Sequence, residues 1–264
     1  MWRGKGILAL SAMCVTLWAA PALAHFGMAI PSSDVVVDKN KADVDITLSF
    51  SHPMEGKGMD MAKPEQFGVV NGEQKTDLLG TLKPVKVMDH NAWKGNYTFK
   101  RPGVGVFYVV PEPYFEPAED KYIKHITKVV VPAFGEEEGW DVPVGLPTEI
   151  VPLTRPFGNY VGNVFTGQVL VNGKPVAGAS VEVEYYNQDK DHVAPNEYMT
   201  TQVVKTDANG VFSYAVPFAG WWGFAALTDS PKTLEKDGAA KKVEMGAILW
   251  TKFVDPKRAP QKGK

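Results

Sequence analysis

Apolar and polar residues alternate most regularly over 42–50, where Ala42, Val44, Ile46, Leu48 and Phe50 interleave with Asp43, Asp45, Thr47 and Ser49. A two-residue period sends successive side chains to opposite faces, so this stretch predicts a strand with one dry and one wet face. His52 keeps the parity of the apolar set and is expected to point inward or to the rim of the core. Further strands are predicted around 66–70, 84–88, 93–100, 104–110 and 122–132. Between the last two lies Pro111-Glu112-Pro113-Tyr114-Phe115-Glu116-Pro117, whose three prolines are expected to exclude regular structure. Glu136-Glu137-Glu138 sits between glycines and reads as a solvated acidic turn.

The second half has its own rhythm. Asn172-Gly173 is a strong hairpin-turn signal, and Val181, Val183 and Tyr185 alternate with Glu182, Glu184 and Tyr186. Asp207-Ala208-Asn209-Gly210 predicts another turn, before Phe212, Tyr214 and Val216. The unbroken apolar run 221–227 reads as a fully buried strand, and 243–253 as the last one. No long helical period occurs. The pattern predicts an all-β protein of two β-sandwich domains in tandem, Ig-like or transthyretin-like, with about seven strands in the second. The expected units are a leader at 1–24, an N-terminal sandwich at 25–145, a proline-rich linker at 146–162, a C-terminal sandwich at 163–256 and a flexible tail at 257–264.

The leader changes what the first sandwich can do. Arg3 and Lys5 precede an apolar run over 7–20, and Ala22-Leu23-Ala24 has the small-x-small form of a signal-peptidase site. The run is too short and wrongly flanked for a membrane span, so the mature chain is expected to be soluble, periplasmic and without a transmembrane segment. Its one cysteine, Cys14, lies in the leader, which leaves the mature chain no disulfide and no thiolate ligand. Losing Arg3 and Lys5 takes the formal charge from −2 to −4, and no basic cluster offers a nucleic-acid footprint.

Cleavage after Ala24 would make His25 the first residue, and an N-terminal histidine offers its α-amine and its Nδ1 to one metal ion. His52 and His125 are the other two candidate ligands; an amine and three imidazoles would give four nitrogens, suited to Ni, Co, Cu or Zn. His90 and His192 read as solvated loop residues. Met54, Met59 and Met61 follow His52 closely, and thioethers favour copper, so a periplasmic copper-binding protein is the alternative. Glu112, Glu116, Glu119 and Asp120 could supply a carboxylate pair, but acids in a proline-rich loop are expected to face water. No Gly-x-Ser-x-Gly elbow, phosphate-cradling loop or His-Glu-x-x-His helix occurs, so no enzyme is expected. A third reading without metal is an adhesion or carbohydrate-binding module.

His-Phe-x-Met-x-Ile-Pro-Ser at 25–32, His52-Pro53-Met54, the stretch 93–103 and Tyr122-Ile123-x-His125-x-Thr127-Lys128 come in an order that resembles a known family. Glu149-Ile150-Val151-Pro152-Leu153, Gly173-Lys174-Pro175 and Pro217-x-x-Gly220-Trp221-Trp222-Gly223 complete the resemblance. It is a domain-of-unknown-function family of periplasmic proteins described as accessory components of nickel and cobalt importers of the energy-coupling-factor type. The resemblance implies Ni(II) or Co(II) as cargo, captured and delivered to such an importer in the inner membrane; ligand softness alone would not choose them over copper. The stretch 167–212 is also similar to the regulatory sandwich modules of carboxypeptidases, which implies a supporting β-sandwich with no catalytic residues.

Overall fold

The period-two stretch folds as the strand Asp43–His52, in the interior of a five-stranded sheet. On one side it pairs antiparallel with an amino-terminal strand, Phe26–Pro31, and on the other with His90–Thr98. Lys83–Val87 continues the sheet, and the short strand Lys57–Met59 pairs back onto its own predecessor. The computed structural model describes residues 24–258. The predicted leader therefore lies outside the described residues up to Leu23, as does the tail beyond Arg258.

A ten-stranded sheet forms the middle of the molecule. Its order is Gln202–Lys205, Ser180–Tyr185, Gly220–Asp229, Val243–Val254, Lys121–Ala133, Gly103–Val110, Gln66–Asn71 and Gln74–Asp77, with two short strands attached beside this path. The central junction is a parallel pairing of Lys121–Ala133 with Val243–Val254, which sets His125 beside Gly246. A third sheet holds Thr148–Pro152, Val164–Val171, Lys174–Pro175 and Val211–Ala215. The architecture is all-β and sandwich-like, with only three short 3-10 turns among the described elements.

The last strand explains why two apolar runs showed no alternation. Ile248 and Trp250 point into a core shared with the five-stranded sheet, packed with Phe26, Met28, Ile46, Leu48 and Phe107. Ala247, Leu249 and Phe253 point the other way, into a core with Ile150, Phe165, Val169 and Phe212. A strand covered on both faces needs apolar residues at every position, and the same holds for Trp222, Phe224 and Ala226 against Ala225.

Two proline-rich stretches are more ordered than their composition suggests. Tyr114–Glu116 is a short strand antiparallel to the start of Lys121–Ala133, which corrects the expectation of no regular structure over 111–117. Pro113 and Pro117 flank those three residues and withdraw no N–H from the pairing. The stretch 146–162, expected as a linker, contributes the strands Thr148–Pro152 and Asn159–Tyr160. Leu146 and Phe157 are buried against the back of the ten-stranded sheet, which takes strands from both sides of this stretch in the sequence. Asn172 and Gly173 make the expected hairpin turn, both with positive φ.

Candidate functional site

Antiparallel register brings the first two candidate histidines together. Phe26 lies opposite Ser51, so the residue before the one and the residue after the other become neighbours. The rings of His25 and His52 have centroids 4.6 Å apart. His52 Nδ1 is 2.9 Å from the Ala24 carbonyl, to which it donates a hydrogen bond. His52 therefore sits at the core rim, as its parity required, against the peptide bond where cleavage is expected.

His125 reaches the same region from the ten-stranded sheet. It shares the parity of Ile123, Val129 and Val131, which face the five-stranded sheet, and it is only 2 % exposed. It is linked to the other two through Phe50, whose ring centroid lies 5.8 Å from that of His25 and 5.8 Å from that of His125. Two glycines make the approach possible. A Cβ at Gly27 would land on Thr127 Oγ1 and 2.9 Å from the His125 carbonyl, and one at Gly246 would land on the His125 ring.

Of the carboxylates around these rings, Glu116 and Glu119 come from the acidic proline-rich stretch and Glu244 from a strand where no sequence signal marked it. Glu116 Oε2 is 2.9 Å from His25 Nε2, and Glu119 Oε1 is 3.8 Å from His25 Nδ1. These acids were expected to face water; the short strand Tyr114–Glu116 instead turns Glu116 toward His25. Burial, and then the neighbouring His52, push the His25 ring below its ordinary pKa against the pull of Glu116, so it is neutral at neutral pH. Glu244 Oε1 lies 3.4 Å from His125 Nε2, and Glu244 Oε2 is 2.7 Å from Lys121. Burial pushes the Glu244 carboxyl up, but the hydrogen bonds from His125 and Lys121 prevail and hold it at about 2.

The loop after His52 is held by the carboxy-terminal half. Asn187 donates its side-chain amide to the Met54 carbonyl and its backbone N–H to the Pro53 carbonyl, while the Met54 N–H donates to Glu184. Glu184 is buried, and burial pushes its carboxyl up to about 8, with Glu182 raised to about 7 for the same reason. A carboxyl raised on folding leaves the native state holding protons that the unfolded chain has released. Stability is then highest below the unfolded carboxyl range and falls as pH climbs toward 8, by up to about 1.4 kcal/mol per pH unit and group. Glu184→Gln is expected to flatten that decline between pH 5 and 8, read from thermal melts at stepped pH; an unchanged slope would rule it out.

The remaining candidates lie elsewhere. His90 begins the strand His90–Thr98, is 43 % exposed in its side chain and stands 3.5 Å from Asp60. His192 pairs with Asp191 and stacks on Phe218, with ring centroids 4.6 Å apart. Met61 is buried and Met59 packs against the same core, whereas Met54 belongs to the loop held by Asn187. Among the described residues no three His, Cys, Asp or Glu side chains converge as a ready-made metal set. The His25 nitrogen is there an amide in the peptide bond to Ala24, and His52 Nδ1 is engaged with that residue's carbonyl. Among the described residues no helix is long and apolar enough to cross a membrane.

A family model described as a domain of unknown function (DUF4198) matches residues 22–230. No curated protein matches the chain. The D0-D1 domain of intimin is similar over 86 % of this chain and 98 % of its own, at 12 % identity and a TM-score of 0.21. A bacterial ice-binding adhesin (88 % and 65 % covered, 12 % identity, TM-score 0.24) and the Yersinia pseudotuberculosis adhesin InvE (86 % and 58 %, 11 %, 0.24) are similar at the same level. Scores this low carry no argument about function.

Proposed function

The chain belongs to the DUF4198 family, whose description names no activity, and from the site itself we propose that it binds a divalent transition metal in the periplasm and delivers it to a membrane importer. The observation that supports this reading is the hydrogen bond from His52 Nδ1 to the Ala24 carbonyl at 2.9 Å. Cleavage after Ala24 removes that carbonyl, frees the His52 nitrogen and turns the His25 amide into an amine. Carbonyl oxygen and nitrogen of one peptide bond are about 2.2 Å apart, so the new amine would start within about 5 Å of His52 Nδ1. The amine, His25 Nδ1 and His52 Nδ1 would then be the three nitrogens offered to the metal, from rings whose centroids lie 4.6 Å apart. Glu116 on His25 Nε2 would orient the ring and raise its basicity.

Three nitrogens with open positions suit a cargo that must be released again. Ni(II) and Co(II) accept such a set, and the family resemblance of the sequence motifs favours them over Cu(II). An importer of the energy-coupling-factor type is the partner that the same resemblance implies. His125 meets this pair through Phe50 and is not needed for the three-nitrogen set.

The test is calorimetric titration with Ni(II) and Co(II) of two chains, one beginning at His25 and one with a single extra residue before it. The extended chain is expected to bind on the order of 10²-fold more weakly, because an amide nitrogen is no longer a basic ligand. His52→Ala in the processed chain should lose a comparable factor. Equal affinity in both forms, or no binding to the processed chain, would end the proposal.

A further inference from the structure

His125 carries an unspent nitrogen. Its Nε2 faces a Glu244 carboxylate oxygen at 3.4 Å while Nδ1 faces no acceptor, so Nε2 carries the hydrogen and donates. In the neutral ring this leaves Nδ1 with a bare lone pair. That atom is fully buried and has no hydrogen-bond partner among the described residues. A buried acceptor left unpaired is costly, and a ligand bound to it would remove that cost. The arrangement of carboxylate, imidazole and free lone pair is the one that metal-binding histidines adopt, the carboxylate fixing the tautomer and strengthening the donor.

The ring also lines a cavity of about 190 Å³, large enough for an ion and a small companion ligand. Met28 and Met61, from the amino-terminal strand and from the chain just before Gln66–Asn71, line the same cavity beside Phe50 and Ile123, and Ser49, Asp60, Glu112 and Thr127 add oxygen atoms to its lining. Two thioethers and one imidazole are the donors that a soft ion of low charge prefers over those oxygens.

We infer that His125 Nδ1 and the sulfur atoms of Met28 and Met61 form a second site, for Cu(I), separate from the nitrogen set at His25. Binding involves no electron transfer: the ion enters as Cu(I), and the three neutral donors replace those of the carrier that brings it. Glu244 acts through His125 as a positioning residue.

The experiment uses the full chain with one extra residue before His25 and with His52→Ala, so that the nitrogen site is disabled and the outcome does not depend on it. Cu(I) is titrated anaerobically against a chromophoric Cu(I) chelator, with Ag(I) as a redox-inert check. One equivalent is expected to bind, and Met28→Leu and Met61→Leu, which conserve volume, should each weaken it at least about tenfold. X-ray absorption of the Cu(I) form should show both sulfur and nitrogen neighbours, which decides the matter even if one variant folds poorly. Absence of stoichiometric binding, a sulfur-free shell, or wild-type affinity in both leucine variants would overturn the inference.

Discussion

Lys128→Met is expected to destabilise the protein by about 3–5 kcal/mol, as removal of one partner of a buried ion pair does. Lys128 Nζ lies 2.7 Å from Glu149 Oε2, and both side chains are 2 % exposed. Lys128 has the opposite parity to His125, so it leaves the back of the ten-stranded sheet and meets the stretch that carries Thr148–Pro152. Glu149 also accepts from the backbone N–H groups of Val144, Gly145 and Leu146, so one carboxylate organises the whole turn. Burial opposes its charge, and Lys128 together with these donors still holds its pKa below the ordinary value. Burial also lowers the Lys128 pKa, and the Glu149 carboxylate is the group that opposes this loss of charge. Denaturant unfolding of Lys128→Met, Glu149→Gln and the double variant should give strongly non-additive losses, the double costing clearly less than the two together. A loss under about 1 kcal/mol for Lys128→Met would mean that the pair is not the anchor of this turn.

That ion pair shows what the sequence could and could not convey. Tyr122-Ile123-x-His125-x-Thr127-Lys128 and Glu149-Ile150-Val151-Pro152 stood out as motifs of the family resemblance, but nothing in their spacing joined them. Strand periods were readable because they are local: Asp43–His52 was predicted to within two residues at each end, and the parity of His52 located it at the rim. Phe26–Pro31 was missed because it is covered on nearly every position and so lacks alternation. The ten-stranded sheet was invisible for a different reason. Its central parallel pairing joins Tyr122 to Val243, and pairing partners so far apart leave no imprint on a single sequence. The same distance hid Glu116 from His25 and Glu244 from His125, so the imidazoles were legible as candidates while their pairing with the carboxylates that orient them was not.

Trp250→Ala should cost about 3–5 kcal/mol, the range for deleting a fully buried tryptophan, but its more telling effect is local. Trp250 is fully buried, packs edge-on to Phe26, and donates its indole N–H to the Gly27 carbonyl at 2.9 Å. One side chain of the last strand thus holds the amino-terminal strand two residues from His25. Trp250→Phe keeps most of the packing but leaves that carbonyl without its donor, at a cost of about 1–3 kcal/mol. Hydrogen exchange at the amides of Phe26–Pro31 should accelerate in Trp250→Phe more than in a Lys128 variant of equal global stability. If the nitrogen site at His25 is real, Ni(II) affinity of the processed chain should fall in the tryptophan variant and stay near wild type in the lysine variant. The lysine lies on the far face of the sheet, while the indole fixes the strand that carries the amine. Equal Ni(II) affinity in both variants, despite unequal exchange, would show that the position of the amino-terminal strand does not govern binding.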